Sequence, residues 1–373
     1  MRDDQSSEYD FVIYIGRFQP LHLGHNYMLD KALALAWFVI VFIGSANLPR
    51  DMKNPWSFEE RAQMIRDAYP DIDPARLIIL PLNDHTYNND GWLGQVQNKV
   101  NGAVVDNGYD PETARVAVIG FEKDSTTYYL KQFPQWDEIN IEDSWGTVSA
   151  TQIRNNFFQR APILPHDLCS MSVIEYMRGF MLSVEFRNLL DEAEELKRIH
   201  TSWAGSPFTP MFIATDAVVT QSGHILLVTR DIHPGMGLLA LPGGHVKPEI
   251  GDSFDNCVKE LWEEARPQDG IAQRNRRGKA LPKGRLRGFY TGKEMRFDAP
   301  GRDPRGFYLT TAFRFVFPDG DLWPVRGGLP IDGEPNDVSH AAWYPIGSLD
   351  PRLMFADHYF IIQAMLGKSG EKR

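Results

Sequence analysis

The sequence predicts an α/β protein with two domains. The first is a doubly wound parallel sheet, and the second opens with a hairpin pair of strands and carries an acidic helix. Three observations predict this. Apolar runs alternate with helical patterns up to about residue 160, the order that builds a parallel sheet. Residues 201–210, with Gly205, Pro207 and Pro210, then interrupt the pattern. Beyond them come two strand patterns joined by Gln221-Ser222-Gly223, and one strongly acidic helical pattern. The 373 residues suit two or three domains. The expected boundaries are 1–170, a helical extension and linker at 171–206, and 207–373.

The first strand is Phe11-Val12-Ile13-Tyr14-Ile15, apolar enough to be buried on both faces. It runs into Gly16-Arg17-Phe18-Gln19-Pro20-Leu21-His22-Leu23-Gly24-His25. A helix follows over 26–37, with Leu29, Ala32, Leu33 and Ala36 on one stripe. Further strands are expected at 38–43, 77–80 and 116–119. Ser57 and Glu60 have capping-box spacing at the head of another helix. In such a sheet ligands bind beyond the carboxyl ends of the strands. The segments leaving those ends are small, polar or charged: Gly44-Ser45-Ala46-Asn47, then Asn83, Asp84 and Tyr87, then Gly120-Phe121-Glu122-Lys123-Asp124. A turn rich in Gly, Pro and His before a helix is suited to an anion. Free N–H groups and a partial positive charge lie at the helix start. His22 and His25 add donors, Arg17 adds a planar cation, and Gly16 and Gly24 allow close backbone approach.

The full G-R-F-x-P-x-H-x-G-H string, between a strand and a helix, resembles the nucleotidylyltransferase superfamily. Within it the match is to the archaeal-type nicotinamide mononucleotide (NMN) adenylyltransferases, over roughly residues 9–160. The resemblance implies a Rossmann-like domain that makes NAD and pyrophosphate from ATP and NMN. His22 and His25 would act on the phosphates in the transition state, and Arg17 and Arg154 would hold those of ATP. Val148-Ser149-Ala150-Thr151-Gln152-Ile153-Arg154 is similar to the family's I-S-x-T-x-I-R segment, which implies that Ser149 and Thr151 also bind ATP; Ser149 equally reads as a helix cap. Gly16, Phe18, Gly24, Asn83, Asp84, Gly120, Lys123 and Asp124 complete the expected substrate contacts. Trp92 reads either as the ring that stacks on nicotinamide or as a helix-face core residue. Mg²⁺ is expected on the phosphates, since it takes few protein ligands.

Residues 167–200 read as helical, with Glu192, Glu194, Glu195, Lys197 and Arg198 on a solvated face. Past the interruption, Leu239-Ala240-Leu241-Pro242-Gly243-Gly244 precedes a helix expected from Ser253 to Ala265. Phe254, Val258, Leu261 and Ala265 share its apolar face. Glu260, Glu263 and Glu264 share the opposite one, where three carboxylates repel unless a cation neutralises them. Oxygen ligands point to Mg²⁺ or Mn²⁺. Over about residues 208–365 the chain resembles the Nudix hydrolases, which implies an α/β/α domain with a mixed sheet. Lys259-Glu260-Leu261-Trp262-Glu263-Glu264 supplies the second half of the Nudix box. Lys259 stands in for the usual arginine, Asp252 or Glu249 for the first glutamate, and Arg266 or Pro267 for the last glycine. The segment 297–306, Asp337 and Phe355-Ala356-Asp357-His358 look like the ADP-ribose pyrophosphatases fused to this adenylyltransferase. That implies hydrolysis of ADP-ribose to AMP and ribose 5-phosphate, with Glu260 and Glu264 catalytic. Arg302 and Arg305 are either ligand contacts or turn residues. Arg274, Arg276, Arg277, Lys279, Lys283, Arg285 and Arg287 form a basic insertion, either a solvated loop or a clamp on phosphate or acidic groups.

A formal net charge of -10 disfavours a nucleic-acid partner. No apolar run reaches membrane length, and Cys169 and Cys257 make no disulfide framework, so a reduced cytoplasmic setting is expected. A homo-oligomer is compatible with the sequence. Two rival readings stay open at this level. The Nudix-like domain could sense ADP-ribose without cleaving it, or the first domain could serve another phosphate acceptor.

Overall fold

The computed structural model describes residues 7–121, 131–141, 148–268, 281–328 and 337–367. The chain divides into two compact units, Met1–Ala193 and Glu194–Arg373.

In the first unit the strands are β1 (Tyr9–Gly16), β2 (Ala36–Ile43), β3 (Leu77–Pro81), β4 (Val116–Gly120) and β5 (Asp137–Asn140). All pair in parallel, in the order β3-β2-β1-β4-β5. The helices are α1 (Leu23–Leu35), α2 (Phe58–Ala68), α3 (Asn89–Asp106), α4 (Ala150–Phe157), α5 (Met171–Phe180) and α6 (Val184–Trp203). Alternate residues of β1 and β2 face opposite cores. Val12, Val39 and Val41 pack with α1 and α5, whereas Phe11, Ile13, Ile40 and Phe42 pack with α3. Full burial of each such side chain is worth about 1.5–3 kcal/mol. β5 was not expected. Its residues Asp-Glu-Ile-Asn carry no apolar run, because an edge strand is held by backbone pairing to β4 rather than by buried side chains. α1 also corrects the expected pattern. It starts at Leu23, so His22 is the N-cap and His25 lies in the first turn. It stops at Leu35, because Ala36 is already extended at φ -132° and reaches the core from β2.

The division between units falls within α6. Glu192 departs from the expected solvated face, being only 5% exposed.

The second unit holds β6 (Met211–Gln221), β7 (His224–Arg230), β8 (Leu239–Ala240), β9 (Gly243–His245), α7 (Ser253–Ala265), α8 (Lys283–Leu286), β10 (Tyr290–Phe297), β11 (Phe307–Val316), β12 (Val338–Pro345) and α9 (His358–Leu366). The main sheet runs β10-β11-β6-β7-β12 and is mixed, since only β11 and β6 pair in parallel. Ser222 and Gly223 both have positive φ, as a two-residue hairpin turn requires. β6 and β7 pair only beside that turn. Further on they splay, β9 pairs with β6 from Ala214 to Asp216, and β8 pairs with β7. The splay seats Pro242-Gly243-Gly244 against the middle of the sheet. α7 starts on its Asp252 cap, whose carboxylate accepts from Asp255 N at 2.8 Å, and ends at Arg266 in the left-handed region, φ 39°.

Candidate active sites

In the first unit, the loops at the carboxyl ends of β1, β2 and β3 are tied together by side chains. Arg61, on the buried stripe of α2, is 1% exposed. It donates to the carbonyls of Arg17 (2.7 Å), Gly44 (2.7 Å), Ser45 (3.3 Å) and Ser57 (3.1 Å). Asp84 accepts from Ser45 N at 3.2 Å and Ser45 Oγ at 2.9 Å, and its own N–H donates to Asn47 Oδ1 at 2.8 Å. The amide of Gln19 makes two bonds to the backbone of Trp56. The His22 and His25 rings stack 3.7 Å apart, half-buried at the first turn of α1, and His22 N donates to His25 Nδ1 at 3.3 Å.

Several expected contacts have other work here. Phe18 is 1% exposed and packs its ring 4.7 Å from His25, so it supports that imidazole instead of touching a substrate. A β-carbon at Gly16 would lie 2.9 Å from the Phe18 ring, so this glycine serves the turn itself. Gly24 is buried within α1. Arg154 is 4% exposed and donates to Met52 O (3.0 Å), Gln19 O (2.8 Å) and Thr151 Oγ1 (3.2 Å), which makes it a brace between loops instead of an open phosphate ligand. Ser149 caps α4 by accepting from Gln152 N. Asn83 is held through its backbone by Gln95, and Gly120 is buried at the end of β4. Trp92 is half-buried, 6.1 Å from Phe133, and lines a cleft of about 240 Å³ with Asp84, His85, Thr86 and Asn89. Both readings of Trp92 therefore find support. Lys123 and Asp124 lie outside the described residues.

The charge pattern points one way. Arg17 is exposed at the rim. Burial, with the charge of Arg17 adding to it, draws the guanidinium of Arg154 down to about 10. Burial does the same to Arg61, also to about 10, where Asp84 opposes the shift and Arg17 adds to it. Desolvated cations that disfavour one another are relieved by an anion. Arg61 was missed in the sequence. The signal was an arginine on the apolar stripe of a helix, beside Ala62, Met64 and Ile65.

In the second unit, α7 presents its acidic residues inward. Glu264 is 8% exposed and accepts from Gly243 N at 2.9 Å. Glu260 lies against Gly244, whose added β-carbon would sit 3.0 Å from the Glu260 carboxyl carbon. A β-carbon at Gly243 would overlap the Thr215 carbonyl and lie 2.5 Å from Asp216 Oδ1. The two glycines thus make room for three carboxylates. Asp216, 6% exposed and bonded by Thr310 Oγ1 at 2.6 Å, was another omission. Its signal was a lone acid in the apolar run of β6. Burial, then the neighbouring Glu260, pushes the Glu264 carboxyl well above the usual range, against the Gly243 N–H and Arg230. Burial also raises Glu260, against Lys259.

Glu263, expected among the metal ligands, is engaged by two lysines. Its carboxylate is held by Lys259 at 2.5 Å and Lys283 at 3.4 Å. Lys259 also reaches Glu260 at 3.2 Å, so it orients two acids as a point charge without an arginine's fork. Asp252 is a helix cap and Glu249 is exposed, so neither joins the site. Among the described residues no group of three or more His, Cys, Asp or Glu forms a metal cage. Glu260 and Glu264 still fit a divalent ion of the Mg²⁺ type, which takes one or two carboxylates and completes its shell with substrate phosphate and water.

Beside these acids lies a cavity of about 400 Å³ whose lining includes Asp216, Arg230, Gly243, Glu264, Arg302 and Arg305. Arg302 and Arg305 lie in a bend and a turn, but their side chains are largely buried, 5% and 20% exposed. Arg302 makes two bonds to Asp357, at 2.8 and 2.7 Å, and Arg305 two to Asp303, at 2.9 and 2.6 Å. His358 accepts from Leu241 N at 2.9 Å and is driven to about 3, first by burial, which keeps the imidazole neutral. Of the basic insertion, Lys283 and Arg287 pair with Glu263 and Asp255 of α7; Arg274, Arg276, Arg277 and Lys279 lie outside the described residues.

Comparison with known proteins agrees with this division. A cytidylyltransferase-like family profile matches residues 13–79, and a NUDIX domain profile matches 211–364. A nicotinamide/nicotinic acid mononucleotide adenylyltransferase of Acinetobacter baylyi is 35% identical over 182 residues, 49% of this chain and 92% of that protein. A bifunctional NMN adenylyltransferase/ADP ribose pyrophosphatase of Francisella tularensis superposes with a TM-score of 0.81 at 30% identity, covering 96% of this chain and 99% of that one. The chain belongs to the bifunctional NMN adenylyltransferase/Nudix hydrolase family. A second crystal structure of the Francisella protein, complexed with AMP and a Mn ion, matches with a TM-score of 0.81 at 29% identity. The two profiles follow one another along this chain, the cytidylyltransferase-like one in the first unit and the NUDIX one in the second. No helix among the described residues is long and apolar enough to cross a membrane.

Proposed function

We propose that the first unit transfers the adenylyl group of ATP to NMN, and that the second hydrolyses ADP-ribose with a divalent cation. For the first reaction, a phosphate oxygen of NMN attacks the α-phosphorus of ATP. The bond to the β-phosphate breaks, pyrophosphate leaves and NAD forms. No protein nucleophile is needed, so the residues position and neutralise. The observation that carries this reading is the stacked His22–His25 pair at a helix N-terminus, in a loop cluster charged by Arg17, Arg61 and Arg154. The imidazoles donate to oxygens that gain charge, Arg17 attracts the triphosphate, and Trp92 offers a ring to nicotinamide. His25→Ala is expected to lower NMN adenylyl transfer by about 10²–10³-fold, the scale of losing one preorganised donor. Turnover within threefold of wild type would remove His25 from the chemistry.

For the second reaction, water attacks one phosphorus of the diphosphate, the P–O–P bridge breaks, and AMP and ribose 5-phosphate leave. Glu260 and Glu264 would hold the cation, which supplies neutralisation of the diphosphate and polarisation of water. Lys259 keeps Glu260 oriented, Gly243 N–H holds Glu264, and the neutral His358 fixes the Leu241–Gly243 turn. The relative from Francisella, crystallised with AMP and Mn, supports a divalent ion and an adenine nucleotide. A sensing role without cleavage draws on a specific departure, the engagement of Glu263 with two lysines and of Asp252 as a cap. Release of AMP from ADP-ribose with Mg²⁺, abolished in Glu264→Gln, supports hydrolysis. Tight binding without AMP supports sensing.

A further inference from the structure

One wall of the cavity in the second unit is a continuous ladder of rings and guanidiniums. Trp203 lies 6.4 Å from Phe212, and Phe212 stacks 5.0 Å from Tyr308. Arg305 lies over Tyr308 at 4.4 Å and over Phe355 at 5.6 Å. Arg230 lies over the other end of this series, 4.1 Å from the Phe355 ring. The wall is therefore aromatic at one end and cationic at the other, and the cationic end adjoins Glu264.

Two polar atoms on this wall are buried without a hydrogen-bond partner among the described residues, Nε1 of Trp203 and Nη2 of Arg230. Arg230 uses its Nε on Pro234 O at 2.9 Å. Arg302 and Arg305 are each matched by a carboxylate, but no ion pair to Arg230 occurs among the described residues. A buried donor left unmade costs more than a made bond gains, and the cost is larger for a charged group. Two such donors in one cavity mark where a ligand completes the structure. Their positions at opposite ends of the ladder give the ligand a direction.

We infer that Trp203 and Arg230 are specificity-determining contacts for a nucleoside diphosphate: the base lies along the aromatic end and accepts from Trp203 Nε1, while the diphosphate accepts from Arg230 Nη2 beside the Glu260–Glu264 pair. The last turn of α6, which the sequence pattern assigns to a spacer, is thereby part of the nucleotide site. The inference rests on the proposed ADP-ribose reading and adds the orientation of the substrate and the two residues that set it.

The test uses the full chain with Mg²⁺ and ADP-ribose. Trp203→Phe keeps the ring and removes the donor. It is expected to raise KM about tenfold with kcat within twofold of wild type, and to leave inhibition by inorganic pyrophosphate unchanged. Arg230→Gln is expected to raise KM by about 10²-fold and to weaken pyrophosphate inhibition by a similar factor, and Arg230→Lys does not restore either, because an ammonium lacks the planar fork. If both variants keep wild-type KM and inhibition while ADP-ribose is cleaved, the orientation is overturned and the hydrolase reading survives. If wild type releases no AMP, the hydrolase reading fails, and calorimetry with ADP-ribose still decides the orientation. The binding step weakened by both variants is then the cavity site, whereas isotherms unchanged from wild type overturn it.

Discussion

Arg61 carries a full charge into a position 1% exposed and makes four bonds to backbone carbonyls, three of them at the loops that follow β1 and β2. Its charge also raises the potential felt by an arriving triphosphate. Replacing it with methionine fills most of the volume but leaves those carbonyls buried and unbonded. Arg61→Met is expected to cost about 3 kcal/mol of stability in denaturant unfolding. Its adenylyl transfer should fall further than the unfolded fraction explains, because Gly44 and Ser45 lose their anchor. A variant with wild-type stability and a wild-type rate would show that the loops hold without it. At the same scale, Glu263 teaches caution about spacing. Three glutamates within about one turn of a helix look alike in the sequence, and the structure separates them by their partners: Lys259 and Lys283 for Glu263, Lys259 for Glu260 and the Gly243 N–H for Glu264.

Among elements, β9 is only three residues long and closely constrained. Three residues pair with the open half of β6, and their glycines leave space for Asp216 and Glu260. A methyl group on Gly243 has no room beside the Thr215 carbonyl, so β9 must move from β6. Gly243→Ala is expected to lose about 1–3 kcal/mol, the usual range for overpacking, and to suppress ADP-ribose hydrolysis at least tenfold. NMN adenylyl transfer by the same variant should stay at the wild-type level. Equal loss of both activities would mean that the defect is general unfolding and not displacement of Glu264 from the Gly243 N–H. α7 shows how an element keeps its frame after its signature changes. Arg266 takes the left-handed position that glycine ordinarily supplies, and its guanidinium lies 5.4 Å from the Trp262 ring.

For the molecule as a whole, the inward acids of α7 link stability to pH and to metal. Unfolded, the Glu264 carboxyl ionises near its ordinary value of 4.5; folded, it keeps its proton to higher pH. Its contribution to stability is therefore full below that ordinary value and is lost as pH rises through the folded value. A divalent cation favours the ionised form and opposes the loss. Mg²⁺ or Mn²⁺ should thus raise Tm more at about pH 8 than at about pH 5.5. In chelator at about pH 8, Glu264→Gln should melt higher than wild type and should not respond to the cation. A cation shift of the same size at both pH values, or one retained in Glu264→Gln, would place the ion elsewhere.

The sequence by itself determined most of the elements. β1 and β2 were readable as apolar runs, α2 from the Ser57–Glu60 box, α7 from its two faces, and the turn at Ser222-Gly223 from its glycine. The His22–His25 pair and the Glu260–Glu264 pair were readable for the same reason, since each depends on residues within one helical turn. β5 was not readable, because an edge strand is specified by the strand beside it. Nor were the roles of Arg61, Asp216, Trp203 and Arg230. Arg61 meets the Arg17 carbonyl across 44 residues of chain, and Asp216 meets Thr310 across 94. Burial removes water as a partner for such groups, and the partner that replaces it comes from whichever strand or loop the fold brings alongside. That choice belongs to the tertiary structure alone.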